Sequence, residues 1–391
     1  MPRSLLNARR RVWIGAIVAP MLALQAQACP PPSAHWEAYV KYFLQHDGRV
    51  VEFSQKSRST SEAQAYALFH ALVANDRARF AKVLEWAENN LAQGALTREL
   101  MAWKWGYREN DRQWGVIDAN PASDADAWLA YSLLEAGRLW SEPRYTSLGR
   151  HVLRNIEAAL VADLPGLGPM LLPGPWSHDP QRNIWKLNPS YLPLQVLRRF
   201  QVEHADGPWE RVLDNAARML RDTARAGVVP DWIEYKPGEG FMESNPEQGY
   251  SSYDAIRVYL WIGMLNKDEP QRAPLLSALQ PGFCIGDTPP ERVHLPTRTP
   301  EGEGPVGFKA ALLPYLSALD NQRCLKRLLA DIEANWNDDL LTEEPVYYDQ
   351  NLALFGLGWF EHRYHFDAKG HLHTQWETTC RDSNSASSHS G

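Results

Sequence analysis

What this sequence lacks narrows its chemistry before anything in it is interpreted. It has no excess of positive charge: 40 Lys and Arg stand against 47 Asp and Glu, a formal net charge of −7. That argues against nucleic acid and anionic membrane surfaces as partners. It contains no glycine-rich phosphate cradle and no Gly-x-Ser-x-Gly nucleophile elbow. His362, His365, His371 and His373 fall near the C-terminus, but no spacing among them makes a ligand pair on one helix face, so no metal is expected and the chemistry should be cofactor-free. No Ser/Gly linker divides the interior, and no self-similar period supports an α-solenoid. Sustained strand alternation is hard to find. There are four cysteines, Cys29, Cys284, Cys324 and Cys380, which allow three pairings; a Cys29–Cys380 bridge tying the termini together stands against the alternative of buried free thiols.

The first residues are of a different kind. Arg3, Arg9, Arg10 and Arg11 precede an apolar stretch from Val12 to Leu24, and Ala26 and Ala28 supply the small residues of a cleavage site. The stretch is short for a membrane span, so residues 1–28 read as a secretory signal peptide and the protein as secreted or periplasmic, with no membrane insertion afterwards. Cys29 raises a lipoprotein alternative, for which Gln27 is a poor fit. Removing the leader takes away four arginines and no acid, moving the net charge from −7 to −11. Residues 29–381 then read as one catalytic domain, and the Ser-rich residues 382–391 as a disordered tail. A secreted chain also permits disulfides.

Helical periodicity runs through the remainder. Trp36, Tyr39, Val40 and Phe43, and again Phe80, Val83, Leu84 and Ala87, recur at i, i+3, i+4 and i+7. Caps and breakers divide the chain into about twelve helices near 35–46, 61–74, 76–92, 122–138, 142–161, 189–203, 208–226, 250–264, 269–278, 305–319, 322–334 and 346–361. Helices in pairs, separated by long Gly/Pro/Trp-rich loops, point to an all-α (α/α)6 barrel with an open, aromatic-lined cleft. Successive helices alternate in direction, so every even-numbered helix starts at one rim. Glu62, Asp124, Asp126, Tyr191 and Asp254 all fall at such starts.

The residues at that rim have plain structural readings as well. Ser59-x-x-Glu62 matches a capping box, and Ser251-x-x-Asp254 has the same spacing. Asp124 and Asp126 are placed to complement a helix dipole. Of the sixteen tryptophans, Trp86, Trp128, Trp140, Trp261 and Trp359 fall within helices and read as core. Trp103, Trp105, Trp114, Trp176 and Trp185 fall in loops, where a flat indole face suits the C–H face of a sugar.

A resemblance tips this balance. Ala122-Ser123-Asp124-Ala125-Asp126, continuing through Ala130, Ser132, Leu133, Leu134, Ala136 and Trp140, resembles the signature of glycoside hydrolase family 8, with Leu129 where Ile or Met is usual. Thr60–Tyr66, Asn75-Asp76-Arg77, Asn188–Pro193, Pro230-Asp231-Trp232, Ser251–Tyr259 and Gly304–Phe308 extend it along nearly the whole chain, most closely toward the cellulases encoded beside bacterial cellulose synthase. The resemblance implies inverting endo-hydrolysis of cellulose or cello-oligosaccharides, with the cellulose synthase complex as a partner. It implies Glu62 as proton donor, Asp254 as the base that activates water, and Asp124 as a third acid that holds the distorted sugar. Tyr191 and Arg257 match positions that orient the water or base, and Tyr347 or Tyr348 a further one. The family also includes enzymes acting on chitosan, mixed-linkage glucan and xylan, and a non-catalytic glucan-binding component of an export machine is the remaining alternative.

Overall fold

The computed structural model describes residues 32–244, 249–280 and 288–378. The expected signal peptide at 1–28, the expected tail at 382–391 and Cys29, Cys284 and Cys380 lie outside these residues, and with them the Cys29–Cys380 pairing; Cys324 is a half-buried free thiol. Thirteen α-helices are present among the described residues: α1 (Ala34–Phe43), α2 (Ser61–Val73), α3 (Arg77–Leu91), α4 (Ser123–Leu139), α5 (Pro143–Leu160), α6 (Leu194–Glu203), α7 (Trp209–Thr223), α8 (Ala255–Gly263), α9 (Arg272–Ala278), α10 (Val306–Ala311), α11 (Leu313–Ala318), α12 (Gln322–Ala334) and α13 (Tyr347–Phe360). The thirteenth arises because the stretch near 305–319 is broken in two. Pro314 lies in the first turn of α11, and without an N–H it cannot carry the α10 ladder onward.

Two kinds of helix alternate along the chain. α3, α5, α7 and α12 bury one stripe each, for instance Val152, Leu153, Ile156 and Leu160 on α5, and they form the outer layer. α2, α4 and α8 are buried nearly all round, and α8 buries all nine of its residues. These are inner helices, joined by α6, α10 and α13, and the architecture is the (α/α)6 barrel. Phe69 of α2, Trp128 of α4, Trp261 of α8 and Phe355 of α13 meet on the barrel axis with ring centroids 4.9–5.3 Å apart. Trp86, Trp128, Trp140 and Trp261 are thus core residues, each contributing about 1.5–3 kcal/mol or more by burial. Close helix approach demands glycine at Gly356, where a Cβ would sit 2.0 Å from the Ala310 carbonyl oxygen of α10.

The loops are more ordered than periodicity suggests. Ser59–Thr60, Lys104–Arg108 and Gln113–Asp118 form a three-stranded antiparallel sheet; His178–Asp179, Ile184–Leu187, Ile233–Lys236 and Gly240–Glu243 form one of four strands. Tyr250–Ser251 pairs with Arg292–His294, which is why α8 starts at Ala255 rather than near 250. Likewise Pro189–Tyr191 is a single 3-10 turn, and α6 waits until Leu194, because Pro193 holds Leu192 out of the helical region. Strands of two to six residues are too short to leave an alternation that can be read in sequence.

Candidate active site

At the rim where the inner helices begin, a depression enclosing about 820 Å³ open to solvent is lined by Glu62, Asp124, Asp254, Arg257, Tyr191, Trp103, Tyr253, Tyr347, Tyr348 and the Glu52–Arg58 ion pair. Five helix starts deliver these groups. Glu62 is in the first turn of α2, Asp124 in that of α4, Asp254 immediately before α8, and Tyr347 and Tyr348 open α13, while Tyr191 closes the turn ahead of α6.

None of the three acids is a helix cap. Thr60, not Ser59, caps α2, its Oγ1 accepting from the Ala63 N–H at 3.1 Å; the Ser59 hydroxyl instead donates to the Val50 carbonyl at 2.6 Å. The Ser59 capping box is therefore not formed, and the Glu62 carboxylate is left free. At α8 the Asp254 side chain makes no cap bond, and the Ser251 hydroxyl is buried without a partner. α4 starts from Ala122, which has no side-chain acceptor, and Asp124 points into the site. Asp126 does serve structure: its Oδ1 accepts from the Met101 N–H at 3.1 Å, anchoring the segment that leads to Trp103.

One guanidinium gathers the acids. Arg257 Nη1 donates to Glu62 Oε2 at 2.6 Å, to the Tyr66 hydroxyl at 3.2 Å and to Asp124 Oδ2 at 3.4 Å; Nη2 donates to Asp254 Oδ1 at 2.7 Å and to Ser190 Oγ at 3.0 Å. Arg257 is 3% exposed, whereas the side chains of Glu62 and Asp254 keep 23% and 27% of their surface open toward the cavity. Three carboxylates around one cation leave a surplus of negative charge on partly buried groups, and protons are retained in consequence. Burial, then the charge of Asp254, hold the Glu62 carboxyl above its usual range against the opposing pull of Arg257. Burial, then Glu62, push Asp124 up to about 7, and its Oδ1 has no partner.

A stability consequence follows for Asp124. Between its ordinary value of 3.8 and about 7, the folded chain binds more protons than the unfolded one, so this group's contribution falls as pH rises through that window. Asp124→Asn is therefore expected to raise Tm at pH 8 by about 2–4 °C, roughly 1 kcal/mol, and to leave it unchanged near pH 4. Thermal unfolding at both pH values checks this.

The aromatic residues divide differently from expectation. Trp103 lines the central depression and the adjoining groove formed with Trp176, Trp232, Tyr191, Asp118 and Asn120. Trp105, Trp114 and Trp185 line neither. Trp105 packs edge-on against Trp86 of α3 and stacks on Trp114, with the Arg49 guanidinium over both rings; Trp114 is 49% exposed on this outer side. Trp185 is buried in the four-stranded sheet, stacked on His178 at 4.2 Å. All three lie on strands within the segments between helices, and pairing in those sheets holds their rings against Trp86, Arg49 and His178 instead of in the cleft. Both tyrosines opening α13 reach the site: the Tyr347 hydroxyl lies 3.5 Å from Glu62 Oε1, and the Tyr348 hydroxyl donates to the Tyr253 carbonyl. Tyr66, Ser190, Tyr253 and Trp232 were not singled out as site residues by sequence. Tyr66 has a signal in principle, since it lies one helical turn beyond Glu62 on the same face.

No group of three or more His, Cys, Asp or Glu side chains among the described residues is placed to hold a metal ion, and no helix among them is long and apolar enough to cross a membrane.

Comparison with known proteins gives one consistent answer. The profile for "Glycosyl hydrolases family 8" matches residues 7–362. An endoglucanase of Xanthomonas axonopodis pv. citri is 46% identical over 386 residues, covering 96% of this chain and 97% of the relative; an endoglucanase of Escherichia coli K12 is 41% identical, covering 97% and 100%. Among solved structures, the endo-1,4-D-glucanase from Vibrio fischeri ES114 superposes with a TM-score of 0.82 at 39% identity, over 88% of this chain and 99% of that one.

Proposed function

The chain belongs to family 8 of the glycosyl hydrolases, and we propose that it cuts β-1,4-glucan internally with inversion at the anomeric carbon, Glu62 protonating the departing oxygen and Asp254 deprotonating the attacking water. The observation that carries this reading is that Glu62 and Asp254, 192 positions apart in sequence, meet on the two nitrogens of one buried guanidinium while other residues take over the capping of their helices.

Inverting hydrolysis needs one carboxyl that keeps its proton and one that accepts a proton. Glu62 suits the first task, since burial raises its proton affinity and the cavity leaves it open to a substrate oxygen. Asp254 suits the second: Oδ1 is held by Arg257, and its side chain, about a quarter exposed, faces the cavity. Asp124 suits neither nucleophile nor base. Pushed up to about 7 and held against Arg257, it is largely protonated in mildly acidic solution and is fitted to donate to a hydroxyl of the distorted sugar. The groove walls Trp103, Trp176 and Trp232 supply flat faces along which a glucan chain can stack.

Residues 29–381 act in this reading as one catalytic domain, exported by the leader to the periplasm or beyond, and the enzyme acts on cellulose that a bacterial synthase extrudes. The export reading rests on the Arg3–Ala28 pattern, and the link to cellulose production on the motif resemblance. Deleting the gene from a cellulose-producing strain should change cellulose yield or fibre order; unaltered yield and order would remove that link.

The enzymatic test is viscometric and stereochemical. The purified protein should lower the viscosity of carboxymethyl-cellulose faster than it releases reducing ends, and proton NMR of fresh cello-oligosaccharide cleavage should show the α-anomer first. Faster action on chitosan, mixed-linkage glucan or xylan would move the substrate, initial β-anomer would sink inversion, and no cleavage at all would leave a glucan-binding role.

The two classes of tryptophan should separate in the same assay. Trp103→Ala is expected to raise KM for cellohexaose about tenfold, or about 1.4 kcal/mol, with little change in Tm. Trp185→Ala should cost about 3–5 kcal/mol of stability without moving KM. Equal effects of both on KM would return Trp185 to the substrate.

A further inference from the structure

Asp231 has no role in the chemistry above, yet it is the residue on which the base's helix is hung. It sits in the bend before the strand Ile233–Lys236, with its own N–H donated to the Tyr250 carbonyl at 2.9 Å. From there its Oδ1 accepts from the Ser252 N–H at 2.7 Å and from the Ala255 N–H at 2.8 Å, and its Oδ2 accepts from the Ser252 hydroxyl. These bonds bracket Asp254 on both sides. A cap is normally supplied by the residue at the start of the helix itself, and here that residue is Asp254, whose backbone is already helical at φ −76°, ψ −52°.

We propose that Asp231 is a positioning residue: by capping α8 from a distant strand it relieves Asp254 of the capping task and fixes the direction of the Asp254 carboxylate toward Arg257 and the cavity. The proposal rests on the reading of Asp254 as the base.

The alternative for a lone aspartate at a helix start is to fold back on its own first-turn amides, where acceptor bonds to backbone N–H are worth about 0.5–2 kcal/mol. Asp231 takes the Ala255 N–H, and the Ile256 and Arg257 N–H groups are bonded to the Ser252 and Asp254 carbonyls at 3.0 and 3.1 Å, so no first-turn amide of α8 is left for the Asp254 carboxylate. Burial, then the charge of Asp254, raise the Asp231 carboxyl to about 6, so the arrangement is held at an electrostatic cost that a purely structural cap would avoid with a serine or asparagine. The next residue, Trp232, lines the groove and packs 6.1 Å from the ring of Tyr191, so a single dipeptide ties a wall of the groove to the helix of the base.

The test uses the full chain with Asp231→Ala, Asp231→Ser, Asp231→Asn and Asp254→Asn, each assayed on cellohexaose beside its melting curve. Alanine and serine cannot bridge both amides, and kcat is expected to fall about 10–100-fold with KM within about twofold. Asparagine keeps the acceptor for both amides and offers its NH2 to the Ser252 hydroxyl, and it should restore kcat to within about threefold of wild type. Should the alanine variant fail to fold, the serine variant, which retains a polar group in the site, takes its place. Wild-type kcat in the folded alanine or serine variant, an asparagine variant as slow as either, or a loss expressed only in KM overturns the positioning role. Asp254→Asn separates the two levels: if it is inactive while Asp231→Ser turns over normally, only the role of Asp231 fails, and if it turns over normally, the base assignment itself fails.

Discussion

Glu62→Gln is expected to lower kcat on cello-oligosaccharides by about 10²–10⁴-fold, the range of a positioned general acid or base, with KM and Tm little changed. Glutamine preserves the volume and can still accept from Arg257, so the site does not collapse around a cavity. What it loses is the proton that burial and Asp254 keep on the carboxyl. Asp254→Asn should fall by a comparable factor for the complementary reason, because an amide accepts no proton from water. A discriminating measurement is a substrate with a good leaving group, such as an aryl cellobioside. Such a group departs without help, so Glu62→Gln should recover much of its rate, whereas Asp254→Asn should not. Equal recovery in both, or wild-type turnover in either on cellohexaose, would remove the division of roles.

Arg257→Met should produce the largest combined loss of stability and activity. The guanidinium is buried and is the cation shared by Glu62, Asp124 and Asp254. Removing one partner of a buried ion pair costs about 3–5 kcal/mol because the charges left behind are uncompensated. The cost should depend on pH in a stated direction. Without Arg257, the opposing pull on Glu62 and Asp124 is gone, so their carboxyls rise further. Folded-state values raised above unfolded ones stabilise at low pH and lose that advantage as pH rises. Urea unfolding should therefore show a deficit that is large at pH 8 and shrinks toward pH 4, accompanied at every pH by loss of turnover. Arg257→Lys tests geometry: one ammonium cannot serve two carboxylates as a fork does, so activity should stay low although charge is kept. A pH-independent deficit would show that Arg257 matters for packing alone.

Much of the barrel could be read from the chain before any coordinate. Stripes such as Phe80, Val83, Leu84 and Ala87 define outer helices because a 3.6-residue period survives tertiary packing. Alternation of helix direction then places Glu62, Asp124, Tyr191 and Asp254 at one end, which the fold bears out. The inner helices have the opposite pattern: α8 is apolar on every face except at Arg257, because every face of it is buried. The split at Pro314 displaced the count by one, although the residue that breaks the helix stands in plain view.

Other features were decided only by contacts between distant segments. Ser59 and Ser251 have the right spacing to cap with Glu62 and Asp254, but strand pairing with Trp105 and Val293 draws both serines away. Trp103 and Trp105 are two residues apart with the same local chemistry, and one lines the cleft while the other packs on Trp86. A period of two would put them on one face; Trp103 lies just outside the strand, and the ladder to Gln113–Asp118 shifts register between Lys104 and Trp105, which separates them.

The sequence by itself determined the helical barrel and the rim at which Glu62, Asp124 and Asp254 gather, because hydrophobic period and helix direction are properties of the chain alone. The tertiary structure alone decided that Arg257 joins the three acids, that Asp231 caps the helix of Asp254, and which tryptophans face the cleft. Those outcomes depend on charge, burial and hydrogen bonds shared between segments up to 195 residues apart, an energy that does not exist until the barrel closes.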